Sequence, residues 1–198
     1  MKLPVRSMPE LSTAFETAPG KRVAHATLTA TARGIYDIEI NGRRVTDNYF
    51  NPGSTQYNKT HLYQTYDVTP MLRPGANSVT VSLGEGWWSG GATFVGESWN
   101  FFGDRQSFIS TLKLTYDDGS EATVVTDPAT WSCSVDGPRV TGSFFQGEIY
   151  DASRTERYWK PAVEIPLEGH VATSVGEWND ISFRPSGELC VMAGDTLA

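Results

Sequence analysis

The sequence predicts an all-β protein in which two antiparallel sheets pack as a β-sandwich. Short segments alternate between apolar and polar residues, and turn-forming residues recur about every ten positions. No segment keeps a helical period over three turns. The 198 residues can bury one sizeable core, and the 19 glycines and 11 prolines fit a chain with many turns.

The chain divides into three parts. Residues 1–22 are polar and contain several prolines, which predicts an extended lead-in with one short strand. Residues 23–160 carry the alternating segments and form the sandwich. Residues 161–198 are interrupted by prolines, and we expect closing strands at 181–183 and 188–192 and a link to a following domain. The abrupt end of the chain favours a piece of a longer polypeptide.

Two hairpins are the strongest local signals within the sandwich region. The segment Ile35–Ile40 alternates and runs into Asn41-Gly42, a pair suited to the type I′ turn because both residues accept a positive φ. Residues 107–116 alternate cleanly and turn at 117–119 into a strand over 120–126. Further strands are predicted at 23–32, 60–67, 77–83, 131–135 and 144–150.

The composition argues against a nucleic-acid partner and against a membrane-spanning segment. The formal charge of −7 and the scattered lysines and arginines argue against a nucleic-acid partner. No apolar run is long enough to span a membrane, and the N-terminus lacks a secretory signal. Cys133 and Cys190 match no metal motif; we expect two buried free thiols, although the sequence leaves a disulfide between them open.

Asp47 and Asn48 form a candidate metal site directly after the first hairpin. A carboxylate, an amide oxygen and backbone carbonyls from the glycine-rich segment 84–104 are the oxygen donors that Ca²⁺ accepts. Asp47 and Asn48 would then be both metal and carbohydrate ligands. The alternative is that this polar pair only shapes the turn that precedes Asn-Pro-Gly at 51–53.

The segment 84–104 also carries a cluster of aromatic residues, too many for one loop to bury. We expect Trp87 to belong to the core and Trp99 to be exposed. Exposed indoles stack on sugar rings or form a patch for another domain, and we assign Trp88 and Trp99 to carbohydrate contact. The alternative is a small secondary core beneath the segment.

The sequence offers no catalytic pair. Glu148 and Asp151 are three positions apart on a predicted strand and therefore lie on opposite faces, so structural roles are favoured for both. The histidines at positions 25, 61 and 170 accompany no nucleophile motif. A free-standing enzyme would need acidic groups or a metal-held water that converge in one cleft, and the residues predict none.

Short motifs in a fixed order over roughly residues 23–160 resemble the N-terminal β-sandwich domain of bacterial α-L-rhamnosidases. The matching motifs are Thr-Ala-Arg-Gly-Ile-Tyr at 31–36, Ile-Asn-Gly-Arg-Arg-Val at 40–45, Asn-Pro-Gly at 51–53, Tyr-Asn-Lys at 57–59, Tyr-Gln-Thr-Tyr-Asp-Val-Thr at 63–69, Leu-Arg-Pro-Gly-Ala-Asn at 72–77, Leu-Gly-Glu-Gly-Trp-Trp at 83–88, Gly-Asp-Arg at 103–105, Tyr-Asp-Asp-Gly-Ser at 116–120 and Gly-Glu-Ile-Tyr-Asp-Ala at 147–152.

The resemblance implies a jelly-roll sandwich of the galactose-binding type, joined in the whole enzyme to a catalytic (α/α)6 barrel. In that family two carboxylates of the barrel carry out the hydrolysis. Some relatives bind L-rhamnose through Ca²⁺ held by an Asp-Asn pair, and Asp47 and Asn48 stand at that position. The chain is then a non-catalytic module that binds a rhamnose-containing glycan. The alternative role is a structural domain that packs on the barrel and shapes its entrance. A periplasmic or secreted location of the larger enzyme is favoured over the cytoplasm.

Overall fold

A computed structural model describes residues 8–57, 60–91, 99–145 and 147–165, together with the backbone of 182–185. The described elements are strands and one turn of 3₁₀ helix, Thr69–Met71. In chain order the strands are β1 (Glu10–Glu16), β2 (Val23–Arg33), β3 (Ile35–Ile40), β4 (Arg43–Arg44), β5 (Thr60–Asp67), β6 (Ala76–Gly84), β7 (Ser107–Tyr116), β8 (Glu121–Val125), β9 (Ser132–Ser134), β10 (Arg139–Ser143), β11 (Gly147–Tyr150), β12 (Lys160–Pro161) and β13 (Ser182–Pro185).

Two sheets form the sandwich. One has the strand order β12-β9-β1-β6-β3-β4, and the other has the order β13-β5-β2-β7-β8. Strands β10 and β11 pair as a separate ribbon. All described pairings are antiparallel except that of β13 with β5, which is parallel. The predicted antiparallel β-sandwich is therefore confirmed.

The core lies between the two sheets because the apolar residues of the central strands alternate. On β2, residues Ala26, Leu28 and Ala30 are at most 1% exposed, and Thr27 and Thr29 between them are more exposed. The same alternation buries Leu112 and Leu114 on β7. Strands β3 and β6 supply the opposite wall, where the buried apolar residues are Tyr36, Ile38, Ile40, Val79, Val81 and Leu83.

The first hairpin has the turn that its sequence predicts. Asn41 has φ 53° and Gly42 has φ 74°, as a type I′ turn requires. The Asn41 side chain also donates to the carbonyl of Met71 at 2.9 Å and accepts the backbone N–H of Ser78 at 3.1 Å. The turn preference of Asn41 and its contacts with neighbouring segments therefore favour the same conformation.

Three details differ from the expectations or extend them. The short strand in the predicted lead-in is β1, which pairs with both β6 and β9, so the sandwich begins before residue 23. The strand predicted over 144–150 begins only at Gly147, because Phe144 lies in the turn after β10. Cys133 is a half-buried free thiol, whereas Cys190 and the closing strand predicted at 188–192 lie outside the described residues.

Candidate functional site

Three connections meet at one end of the sandwich and form what we call the rim. The rim comprises the described residues within 45–53, 85–106 and 143–145. The ring centroids of Phe50 and Phe144 are 4.8 Å apart, and those of Trp87 and Phe144 are 4.4 Å apart. Phe144 thus joins the connection after β4 to the connection after β6. We call Phe50, Trp87 and Phe144 the aromatic trio.

Asp47 and Asn48 lie at the outer part of the first rim connection. Asp47 is exposed, and its carboxylate forms no hydrogen bond or ion pair with another described residue. Asn48 is half-buried, and its backbone N–H donates to the Thr46 hydroxyl at 3.1 Å. The exposed carboxylate of Asp47 is therefore an accessible oxygen donor, and the amide of Asn48 follows it directly on the same connection.

The base of that connection is fixed by the sandwich itself. Asn51 is 2% exposed, and its carbonyl accepts the backbone N–H of Tyr36 at 2.9 Å. The side-chain amide of Gln64 donates to the carbonyl of Pro52 at 3.2 Å. Between these anchors and Asn48, Phe50 adopts φ 61°, a left-handed conformation that bulky residues rarely take. This conformation accompanies the contact of its ring with Phe144.

The two adjacent tryptophans are buried in the opposite order from the one predicted. Trp88 is 2% exposed, its indole N–H donates to the carbonyl of Arg105 at 2.9 Å, and the Arg33 guanidinium lies 4.9 Å from its ring. Trp88 also packs edge-on against the buried Tyr57 ring at 5.4 Å. Because no face of Trp88 is open to solvent, its assignment to carbohydrate contact is wrong. Trp87 is the half-buried member of the pair, not the core member.

Trp99 is exposed, as predicted, with 57% of its surface accessible. It pairs with Gly91 in an isolated antiparallel bridge. Next to this bridge, Asn100 donates its backbone N–H to the carbonyl of Gly90 at 2.8 Å, and its side-chain oxygen accepts the Gly90 N–H at 2.7 Å. No hydrogen bond or ring contact within the described part of the chain joins Trp99 to Asp47.

Glu85 is a rim residue to which the sequence analysis assigned no role. Its carboxylate is half-buried and accepts a hydrogen bond from the Ser143 side chain. Burial raises the pKa of Glu85 above that of an ordinary glutamate, and the Ser143 bond partly opposes this rise. A Cβ at Gly90 would lie 2.1 Å from a carboxylate oxygen of Glu85, so this carboxylate would have to move, and the φ of 70° at Gly90 also favours glycine. Glu85 therefore ties the β6 connection to the β10–β11 turn.

The two carboxylates predicted to be structural have structural partners. Glu148 pairs with Arg139 at 2.9 Å across the β10–β11 ribbon. Asp151 accepts the backbone N–H of Ser153 at 3.0 Å and lies 3.4 Å from Arg154. Among the residues that the structure describes, no three His, Cys, Asp or Glu side chains cluster as a metal site. The rim therefore offers oxygen donors and aromatic rings rather than an acid–base pair.

Comparison with known proteins places the sandwich in a family. The alpha-L-rhamnosidase N-terminal domain matches residues 21–174, more than half of the chain. The chain belongs to this family. An alpha-L-rhamnosidase of Streptomyces avermitilis is 38% identical over 141 residues, which are 71% of this chain and 13% of that protein. The chain spans only 13 to 19% of the length of the curated relatives it matches.

Solved structures of the family share the fold. The alpha-L-rhamnosidase of Streptomyces avermitilis complexed with L-rhamnose superposes with a TM-score of 0.70 and 36% identity, covering 76% of this chain and 14% of that one. The alpha-L-rhamnosidase of Aspergillus terreus superposes with a TM-score of 0.69 and 34% identity, covering 76% of this chain and 17% of that one. Both likenesses confirm the β-sandwich. Within the described residues, no helix is long and apolar enough to cross a membrane.

Proposed function

We propose that this chain is a non-catalytic carbohydrate-binding domain of a longer α-L-rhamnosidase and that its rim binds L-rhamnose together with Ca²⁺. One observation carries the proposal: Asp47, with its exposed carboxylate, and Asn48 share one anchored connection with the exposed aromatic residues Tyr49 and Phe50. The family relative solved with L-rhamnose supports the choice of sugar. Hydrolysis is assigned to the remainder of the longer polypeptide.

The donors at the rim fit Ca²⁺ better than a transition metal. Carboxylate, amide and backbone oxygens are hard ligands, and Ca²⁺ accepts six to eight of them with flexible geometry. Asp47 and Asn48 would hold the ion, and the ion would offer its open positions to sugar hydroxyls. Because this pair contains a single carboxylate, we expect weak binding with a dissociation constant on the order of 0.1 to 1 mM.

The test is isothermal titration calorimetry of L-rhamnose into the chain, with excess CaCl₂ and then with EDTA. We expect binding only with Ca²⁺, and a loss of at least about tenfold in affinity for Asp47→Asn, since a neutral amide replaces the charged ligand. The matched control is Asp127→Asn. Asp127 is also exposed, and its side-chain oxygen accepts the Ala129 N–H at 2.8 Å, a bond that asparagine can keep.

The control variant should bind as the wild type does. If the wild-type chain shows no heat with L-rhamnose at either condition, carbohydrate binding at the rim is wrong. If Asp47→Asn and Asp127→Asn bind equally well, the sugar is bound elsewhere than at Asp47.

A second candidate function is support of a neighbouring domain, and a separate observation favours it. Exposed apolar side chains are concentrated in one stretch of the chain, which we call the tail patch: Ile149, Tyr150, Tyr158, Trp159 and Val163, each at least 43% exposed. Five exposed apolar side chains within fifteen residues are a candidate interaction surface. We propose that the remainder of the longer polypeptide covers the tail patch.

A further inference from the structure

The ribbon of β10 and β11 ends in an edge strand that no other described strand covers. Its inner strand, β10, is held to the sandwich: the Met8 N–H donates to the Arg139 carbonyl at 2.9 Å, and the Glu85 N–H donates to the Gly142 carbonyl at 3.0 Å. All four residues of the outer strand, β11, are exposed. A strand edge of this kind carries backbone groups that are open to pairing with another chain.

The hydrogen bonds of the ribbon show which backbone groups of β11 point outward. The Ile149 N–H donates to the Thr141 hydroxyl at 3.2 Å, and the Asp151 N–H donates to the carbonyl of the residue before β10 at 2.8 Å. Successive backbone groups of a strand point to opposite sides. The N–H and C=O groups of Glu148 and Tyr150 therefore point away from β10, towards solvent.

Strand β11 lacks the features that usually protect an exposed edge. Natural edge strands are often blocked by lysine, by proline or by a bulge. Strand β11 contains neither lysine nor proline, and the irregularity of the ribbon lies on β10, between Arg139 and Thr141. Its one charged side chain, Glu148, forms an ion pair with Arg139 at 2.9 Å. An added strand would therefore meet no unbalanced charge at this edge.

We propose that β11 pairs antiparallel with β11 of a second copy of this chain, with Ile149 opposite Ile149 of that copy. In this register, Glu148 and Tyr150 of the two copies form the hydrogen-bonded pairs, and the exposed Ile149 side chains contact each other across a two-fold axis. A register with Glu148 opposite Glu148 would bring like charges together. A register with Tyr150 opposite Tyr150 would form fewer hydrogen bonds, because β11 ends there.

The second copy is the occupant that this edge fits, because the strand is complementary to itself in that one register. The pairing also covers Ile149 and Tyr150, the tail-patch residues that lie on β11 and are 57% and 61% exposed. It involves no rim residue, so it is independent of the proposed sugar binding.

Oxidative cross-linking tests the register. In a chain whose Cys133 and Cys190 are replaced by serine, Ile149→Cys would bring two thiols together, with Cα atoms about 4.5 Å apart, within the range of a disulfide. Glu148→Cys is the matched control, because its Cα atoms would be roughly 8 Å apart, too far to bridge. We expect mild oxidation to link Ile149→Cys into a covalent dimer and to leave Glu148→Cys monomeric on a denaturing gel.

A proline tests the backbone pairing separately. Tyr150→Pro removes an N–H that faces solvent in the monomer, where proline is tolerated on an edge strand. Tyr150→Ala is the matched control, because it removes the same ring but keeps the N–H. By sedimentation velocity, we expect Tyr150→Pro to weaken dimerisation at least about tenfold more than Tyr150→Ala, since the hydrogen bond is lost from both halves of the interface.

Thermal melts check that each variant is folded. Cross-linking of Glu148→Cys in place of Ile149→Cys would overturn the register. Equal association of Tyr150→Pro and Tyr150→Ala would overturn pairing through the backbone, and so would a dimeric Ile149→Cys chain that does not cross-link. A wild-type chain that stays monomeric would overturn the second copy as the occupant and leave this edge to a segment of the longer polypeptide.

Discussion

His61 on β5 is a buried histidine next to a buried cation. It is 3% exposed, and its ring lies 5.6 Å from that of Tyr57 and 6.4 Å from that of Trp88. The guanidinium of the buried Arg33 lies over the ring of the same tryptophan. Burial, and secondarily the charge of Arg33, lowers the pKa of His61 from 6.5 to about 4. The ring is therefore neutral in the folded protein at pH 7.

This residue predicts an acid-sensitive fold. The unfolded chain takes up a proton at His61 near pH 6.5 and the folded chain only near pH 4, so the stabilising contribution is complete above pH 6.5 and is lost as the pH falls towards 4. We expect a loss of roughly 3 kcal/mol in the free energy of unfolding from this residue. Urea denaturation between pH 7 and pH 4 measures it.

The variant His61→Gln isolates this contribution from that of the carboxylates. It should be less stable at pH 7, because packing is lost, but its stability should decline less steeply with acid. His25→Gln is the matched control, since His25 is exposed on β2. Identical pH slopes in wild type and His61→Gln would contradict the buried neutral histidine.

The roles of Trp87 and Trp88 show where sequence reasoning ends at the residue scale. A predicted aromatic cluster was correct, and so was the exposure of Trp99. A shift of one residue in the turn after β6 would decide which of the two adjacent indoles faces inward, because such a shift moves each side chain to the other face. The deciding contacts, with Arg33 and Arg105, come from residues far away in sequence.

At the scale of elements, the single residue between β2 and β3 carries the chain from one sheet to the other. Strand β2 belongs to the five-stranded sheet and β3 to the six-stranded sheet, with only Gly34 between them. Gly34 has φ 107°, and a Cβ there would collide with the backbone carbonyl of Gly84. Only glycine fits this crossing.

Gly34→Ala should therefore be strongly destabilising. The positive φ and the collision with backbone together predict a loss of roughly 3 kcal/mol or more in the free energy of unfolding. The measurement is urea denaturation at pH 7. Gly20→Ala is the control, because Gly20 also has a positive φ, 73°, but no atom lies within 4 Å of its added Cβ.

For Gly20→Ala, strain alone predicts a loss of about 1 kcal/mol. Similar losses for both variants would mean that the backbone at Gly34 can move away from Gly84. That outcome would contradict the close approach of β2, β3 and the end of β6 seen in the structure.

Elements whose signals are local were predicted well, and those that depend on distant pairing were not. Asn41-Gly42 fixes its hairpin through two residues that tolerate a positive φ. The placement of β1 between β9 and β6 depends on strands more than 50 residues away, so the sequence predicts a short strand in the lead-in but not its place within a sheet. Phe144 fits a strand by composition, but Gly147 with φ 80° begins the next strand beyond it.

At the scale of the whole molecule, the tail patch predicts self-association of the 198-residue chain. Apolar side chains that a neighbouring domain would cover are exposed between residues 149 and 163. Burying them against a second copy is favourable, although the formal charge of −7 opposes association at low salt. We expect sedimentation velocity at 150 mM NaCl to show a concentration-dependent dimer.

A double variant, Tyr158→Ser with Trp159→Ser, should shift the chain to monomer. Ile109→Ser is the control, because Ile109 is an exposed apolar residue at 58% on β7, outside the tail patch. A wild-type chain that stays monomeric at every concentration would argue against the tail patch as a covered surface.

The candidate site was predictable in part. Asp47 and Asn48 follow a hairpin that the sequence specifies, so their place at the end of the sandwich follows from local rules. The aromatic trio could not be foreseen, because Phe50, Trp87 and Phe144 come from three connections nearly a hundred residues apart. The alternation of apolar and polar residues along one strand does not indicate which connections meet at one end of a sandwich.

The bridge between Gly91 and Trp99 has a consequence for how this family can diversify. It closes the second connection at its base, while Trp88 secures the adjoining residues to the interior. Doubling the number of residues between two joined ends costs only about 0.6 kcal/mol in chain entropy. We therefore expect insertions between positions 91 and 99 to cost the sandwich little stability, so that relatives can vary this interval in length while they keep the same core.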